Sequence, residues 1–129
     1  MIALKIPQAL FFRMRQDLAR AHPFAAERVG FAFARHTRTD GGVIVFLQDY
    51  APVPDEQYVE DATVGARINA TAIRQAMQTS LDKDAGCFHV HHHPHPGPTG
   101  LSRTDKQGIP PIILSLTQLK PQQTHGILI

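Results

Sequence analysis

Cys87-Phe88-His89-Val90-His91-His92-His93-Pro94-His95-Pro96-Gly97-Pro98-Thr99-Gly100-Leu101-Ser102-Arg103-Thr104-Asp105 holds five of the chain's eight histidines. Side chains two apart on an extended strand share a face. Gly86 to His91 therefore reads as a compact strand, with Phe88 and Val90 turned to the core and Cys87, His89 and His91 turned to the other face. Extended backbone continued to Pro94 places His91 and His93 side by side. Pro94, Pro96 and Pro98 keep the following loop stiff. The chain then turns at Thr99-Gly100, and a helix or turn begins at Ser102, where Ser102 to Asp105 has the serine-to-acid spacing of a capping box.

Working outward, Ile2 to Ile6 alternates and reads as a first strand stopped by Pro7. Leu10, Phe11, Met14 and Leu18 recur at helical spacing, which predicts an amphipathic helix over Gln8 to Arg20. Arg28 to His36 and Val43 to Tyr50 read as neighbouring strands joined by a turn carrying Asp40-Gly41. A short strand is expected around Tyr58 to Ala66. A second helix runs from a cap at Asn69 or Thr71 to about Leu81, with Ala72, Ile73, Ala76 and Met77 on its buried face. Ile112 to Leu116 and Gly126 to Ile129 are apolar enough to be central last strands. Strands interleaved with helices predict an α/β, mixed α+β layer fold, and residues 1–129 read as one domain.

The chain has 129 residues, 43% hydrophobic and 19% charged, the composition of an ordinary globular protein. A net charge of +2 with scattered basic residues gives no nucleic-acid signature. No apolar run approaches the ~20 residues that cross a bilayer, and no signal peptide is apparent at the N-terminus. The expectation is a soluble protein without nucleic-acid or membrane partners. Cys87 is the one cysteine, which excludes an internal disulfide and favours a reducing cytoplasm; in an apolar strand it reads as a small core residue.

Neutral imidazole is the commonest protein ligand for zinc, and an aspartate downstream of a His-x-His pair is a natural anionic third ligand. Three protein ligands leave a fourth tetrahedral position to water, whose pKa then falls towards ~7. Such a site also needs a carboxylate base. Glu27, at the mouth of the Arg28 strand, is the candidate. Taken singly, Glu27 reads as a surface residue and Ser102 and Asp105 as a helix cap.

Taken together, these residues resemble the JAMM (JAB, MPN+) metalloproteases. The matching parts are Glu27-Arg28-Val29-Gly30-Phe31, His91-His92-His93-Pro94 and Ser102-Arg103-Thr104-Asp105, in that order over nearly the whole chain. Pro94 and Ser102 are separated by seven residues where the family usually has six. The run is closer to prokaryotic members reading His-x-His-x-His-x-Gly-x-Pro-x-x-Ser-x-x-Asp, found near ubiquitin-activating and ubiquitin-conjugating-like proteins. His91 with His93 needs one extra loop residue, His93 with His95 one fewer, and His89 with His91 three extra; the first pair is preferred.

The resemblance implies a curved mixed sheet of the MPN/JAB (cytidine-deaminase-like) kind packed by two to three helices. It implies one Zn²⁺ per chain on His91, His93 and Asp105, with His89 and His95 as neighbours or alternative ligands. Glu27 would act as general base and Ser102 as hydrogen-bond donor to the oxyanion. The reaction would be hydrolysis of the amide after the C-terminus of a ubiquitin-like protein, by deconjugation or precursor processing, with activating- or conjugating-enzyme-like proteins as further partners. Phage tail assembly and sulfur-carrier pathways supply other substrates within the same family. The competing readings are a non-catalytic MPN-like scaffold and a His-rich metal-binding protein. An apolar end at Ile129 suggests a sheet edge open to a partner or a homodimer.

Overall fold

The computed structural model describes residues 1–23 and 25–129. Its backbone is organised by one long hairpin. β2 (Val29–Thr39) and β3 (Gly42–Pro52) pair antiparallel across a two-residue turn at Asp40-Gly41, with the positive φ of 142° falling on Gly42. β1 (Ile2–Lys5) lies parallel to β3 on one side. On the other side β4 (Gly86–His91) pairs antiparallel with β2, and β5 (Gly126–Leu128) runs parallel to β4. Among the described residues this makes one five-stranded mixed sheet in the order β1-β3-β2-β4-β5.

Among the described residues three α-helices cover it: α1 (Gln8–Leu18), α2 (Ala70–Lys83) and α3 (Arg103–Leu119). Strand alternation sorts the core into two clusters. Ala32, Ala34, Val45, Leu47, Phe88 and Val90 pack with Leu10 and Met14 of α1. Val29, Phe31, Phe33 and Cys87 pack with Ala72 and Ala76 of α2 and Leu116 of α3. The mixed α/β expectation is met at this level.

Within it, several details depart from the sequence reading. Ile112 to Leu116 is helical, inside α3, and not a strand. Ile109, Ile112, Ile113 and Leu116 follow the i, i+3, i+4, i+7 rhythm of a buried helix face. Pro110-Pro111 and the apolar run obscured that rhythm, because prolines inside a helix remove two N–H donors. Tyr58 to Ala66 is not a strand either. It contributes one bridge, Tyr58 to Ile68, because the Asp61 carboxylate takes the N–H and hydroxyl of Thr63 at 3.0 and 2.6 Å and closes a local turn.

Phe11 and Phe12 are 42% and 58% exposed, since α1 turns Leu10 and Met14 inward and carries Phe11 about a quarter-turn and Phe12 about half a turn away. β5 is an edge strand, not a central one. Asn69 is the cap of α2, its side chain accepting the N–H of Ala72 at 3.0 Å. No helix among the described residues is long and apolar enough to cross a membrane.

Gly30 is required by a close approach. A Cβ there would stand 2.1 Å from the Tyr50 hydroxyl oxygen. The bare strand lets the Tyr50 ring cross it and donate to Asp17 Oδ2 at 2.6 Å. That bond pins α1 to the sheet.

Candidate metal centre

The antiparallel pairing of β2 with β4 sets Val29 opposite His91. The start of one strand therefore lies beside the end of the other, and Glu27, two residues before β2, reaches the end of β4. Its backbone N–H donates to the carbonyl of Gly65 at 2.9 Å. A Cβ on Gly65 would come within 2.6 Å of the Glu27 carboxyl carbon, so this glycine gives the carboxylate its room. Sequence reading passed over Gly65, which has no local signal.

Asp105 arrives from the other direction. Ser102 caps α3, its Oγ accepting the Asp105 N–H at 3.1 Å, while the Ser102 N–H donates to Asp105 Oδ2 at 2.8 Å. Both halves of the capping box are present. The same Oδ2 faces the imidazoles, 3.1 Å from His93 Nε2 and 3.4 Å from His91 Nε2. The two Nε2 atoms are 3.0 Å apart. Glu27 Oε1 stands back at 3.9 Å from His93 Nε2. Ligand atoms of Glu27, His91, His93 and Asp105 all lie within 4.8 Å of one another, a grouping that could hold a metal ion.

The other histidines are placed differently. His89 lies one alternation deeper on the same face of β4, its ring 5.4 Å from that of His91 and edge-on to Phe31 at 5.7 Å. His95 is exposed and stacks on His93 at 5.3 Å. His92 lines a surface pocket with Phe12, Arg15 and Leu18 of α1. The expectation that the histidine face of β4 would lie outside the core is corrected: every residue of β4 is buried, on both faces.

Electrostatics match a cation site. Burial lowers the His91 pKa and keeps the imidazole neutral, the form that coordinates metal. Burial alone would raise Asp105, but hydrogen bonds from Ser102 and the nearby imidazoles outweigh it and hold the carboxyl below its ordinary range. Glu27 is raised, first by burial and then by the Asp105 charge, with the neighbouring histidines opposing. The site thus pairs a carboxylate kept ionised with one shifted towards the range of a base. His91 Nδ1 is buried with no hydrogen-bond partner, leaving Nε2 as its working atom.

Beside the group opens a cavity of about 340 Å³, lined by Glu27, His91 and Asp105 and by the apolar side chains of Val29, Ile68, Ile73, Ile109 and Ile112. The spacing of Gly108, Ile109 and Ile112 after Asp105 carried a signal for this wall, which reading Ile112 to Leu116 as a strand hid. Neither a scan against models of known protein families nor a search among curated proteins finds a match to this chain.

Proposed function

We propose that the protein is a zinc-dependent amide hydrolase of the kind the JAMM resemblance implies, with His91, His93 and Asp105 as ligands. The observation supporting this is the spacing of the three donor atoms. Donors ~2.05 Å from a zinc and spread at tetrahedral angles stand ~3.3 Å apart; the three distances here are 3.0, 3.1 and 3.4 Å. A bound zinc would supply Lewis acidity and lower the pKa of water.

The chain's own residues supply the rest. Glu27, raised by burial and held away from the ligand triangle, accepts a proton from the attacking water and returns it to the departing amine. The Ser102 hydroxyl accepts the Asp105 N–H, which leaves its own O–H free to donate to the developing oxyanion. One such donor is worth ~3 kcal/mol. Capping and oxyanion binding are compatible uses of one hydroxyl. By the resemblance, the substrate is the amide following the C-terminus of a ubiquitin-like protein, its extended tail adding a strand beside the cleft.

The test is metal content of tag-free protein by elemental mass spectrometry, together with cleavage of ubiquitin-like fusions. Wild type is expected to carry about one zinc per chain. Glu27→Gln should keep the zinc and lose turnover by roughly 10²- to 10⁴-fold. Zinc-free wild type, or a fully active Glu27→Gln, overturns the proposal.

A further inference from the structure

We propose that Gly108 opens a side-chain pocket at the site, and that this pocket takes a branched or aromatic apolar residue on the leaving-amine side of the hydrolysed amide; this rests on the hydrolase reading above, in which the ubiquitin-like tail lies on the acyl side. Asp105, Gly108, Ile109 and Ile112 follow i, i+3, i+4, i+7 spacing and share one face of α3. That face is one wall of the cavity of about 340 Å³. Ile68, Ile73 and Val29 also line it, and Glu27, His91 and Asp105 lie at the same cavity.

Gly108 is the gap in that wall, one helical turn from Asp105. A Cβ built on it meets nothing within 4 Å. Neither helix geometry nor packing demands a glycine at this position, and glycine is an unfavourable choice inside a helix. What its bare backbone provides is space next to the reacting group.

His89 lines the cavity and is 4% exposed, and its unpartnered Nδ1 is itself shielded, so the ring adds wall to the cavity and not a polar contact. A glycine on the leaving side would leave the isoleucine walls unfilled. A leucine or phenylalanine side chain would fill them and remove that apolar surface from water.

The experiment compares peptides carrying Gly, Leu or Phe immediately after the cleaved amide, on its leaving side, in wild type and in Gly108→Phe. Wild type is expected to favour Leu or Phe over Gly by roughly 10-fold or more in kcat/KM. Gly108→Phe should collapse that ratio towards one while keeping zinc content and melting temperature. Methyl NMR of zinc-free protein gives a readout without turnover: N-acetyl-leucinamide should shift the Ile73, Ile109 and Ile112 methyls in wild type and not in Gly108→Phe. Methyl shifts without cleavage of any peptide would sink the hydrolase reading and leave the pocket standing. Cleavage with no side-chain preference and no methyl shifts would remove the pocket and leave the hydrolase standing.

Discussion

The two faces of β4 are built from alternate residues of one six-residue strand and do opposite things. Phe88 and Val90 meet α1 in a dry apolar cluster. His89 and His91 meet the α2 and α3 side, where the packing stops short and leaves a cavity. Both faces are buried, so burial does not distinguish them. The difference lies in what comes down onto each. α1 brings Leu10 and Met14, which close the surface. α3 brings a carboxylate at its capped N-terminus, then a glycine, then three isoleucines, which keep the surface open near the acid and shut further along. Core and site share a strand, and period-two alternation is what lets them.

If that division holds, each face should fail in its own way. The largest effect belongs to Asp105→Ala. It deletes the anionic ligand at 3.1 and 3.4 Å from the two imidazoles, so most of the bound zinc and nearly all turnover should be lost. It also removes one half of the capping box, at a stability cost of about 1 kcal/mol. Phe88→Ala is the opposite case. The ring is 7% exposed and also packs on Gly126 of β5, so deletion should cost about 3–5 kcal/mol. Zinc stoichiometry of whatever remains folded should be unchanged. Urea unfolding and elemental analysis on both variants decide the matter, and zinc loss in Phe88→Ala would show the faces to be coupled.

A smaller effect probes where α1 is fastened. Gly30→Ala forces the Tyr50 ring away from a contact of 2.1 Å and strains the bond to Asp17. Overpacking of this kind costs about 1–3 kcal/mol. Gly30 belongs to the Glu-x-x-Gly pattern, but its contacts are on the α1 side. The variant should therefore lose stability and retain metal, measured by the same pair of methods.

The alternation of β4, the Asp40-Gly41 hairpin, the Asn69 cap and the Ser102 capping box were all legible in sequence, because each rests on local chemistry within a few residues. The placement of Glu27 was legible as a strand mouth, but its approach to His91 depends on β2 pairing with β4 across some sixty residues. α3 was misread over Ile112 to Leu116, since a short apolar run carries no period of its own and Pro110-Pro111 argued for a break. That error concealed the cavity as well, because Gly108, Ile109 and Ile112 make a wall only on a helix. Gly65 could not be found at all: its meaning is the position of the Glu27 carboxylate, a contact that only tertiary structure supplies.

The smallest expected effect lies at the seam where both faces begin, the chain entering β2. Arg28 is 3% exposed and donates to the carbonyls of Arg20 and Ala21 at 2.9 and 2.6 Å and to Asp55 Oδ1 at 2.7 Å. That last hydrogen bond holds the Asp55 carboxyl below its ordinary pKa. A carboxyl depressed in the folded state stabilises the fold above the unfolded value of ~3.9, and loses that contribution as pH falls through the folded value. Asp55→Asn should then lower the urea midpoint modestly at pH 7, and the gap from wild type should narrow below the unfolded value of ~3.9 and close as pH falls through the lower folded value. Two carbonyls continue to hold the guanidinium, so the strand mouth and zinc content should survive. A gap that stays constant with pH would mean that the Asp55 side chain acts through shape rather than charge, and that Glu27 is anchored by the backbone bond to Gly65 rather than by the ion pair beside it.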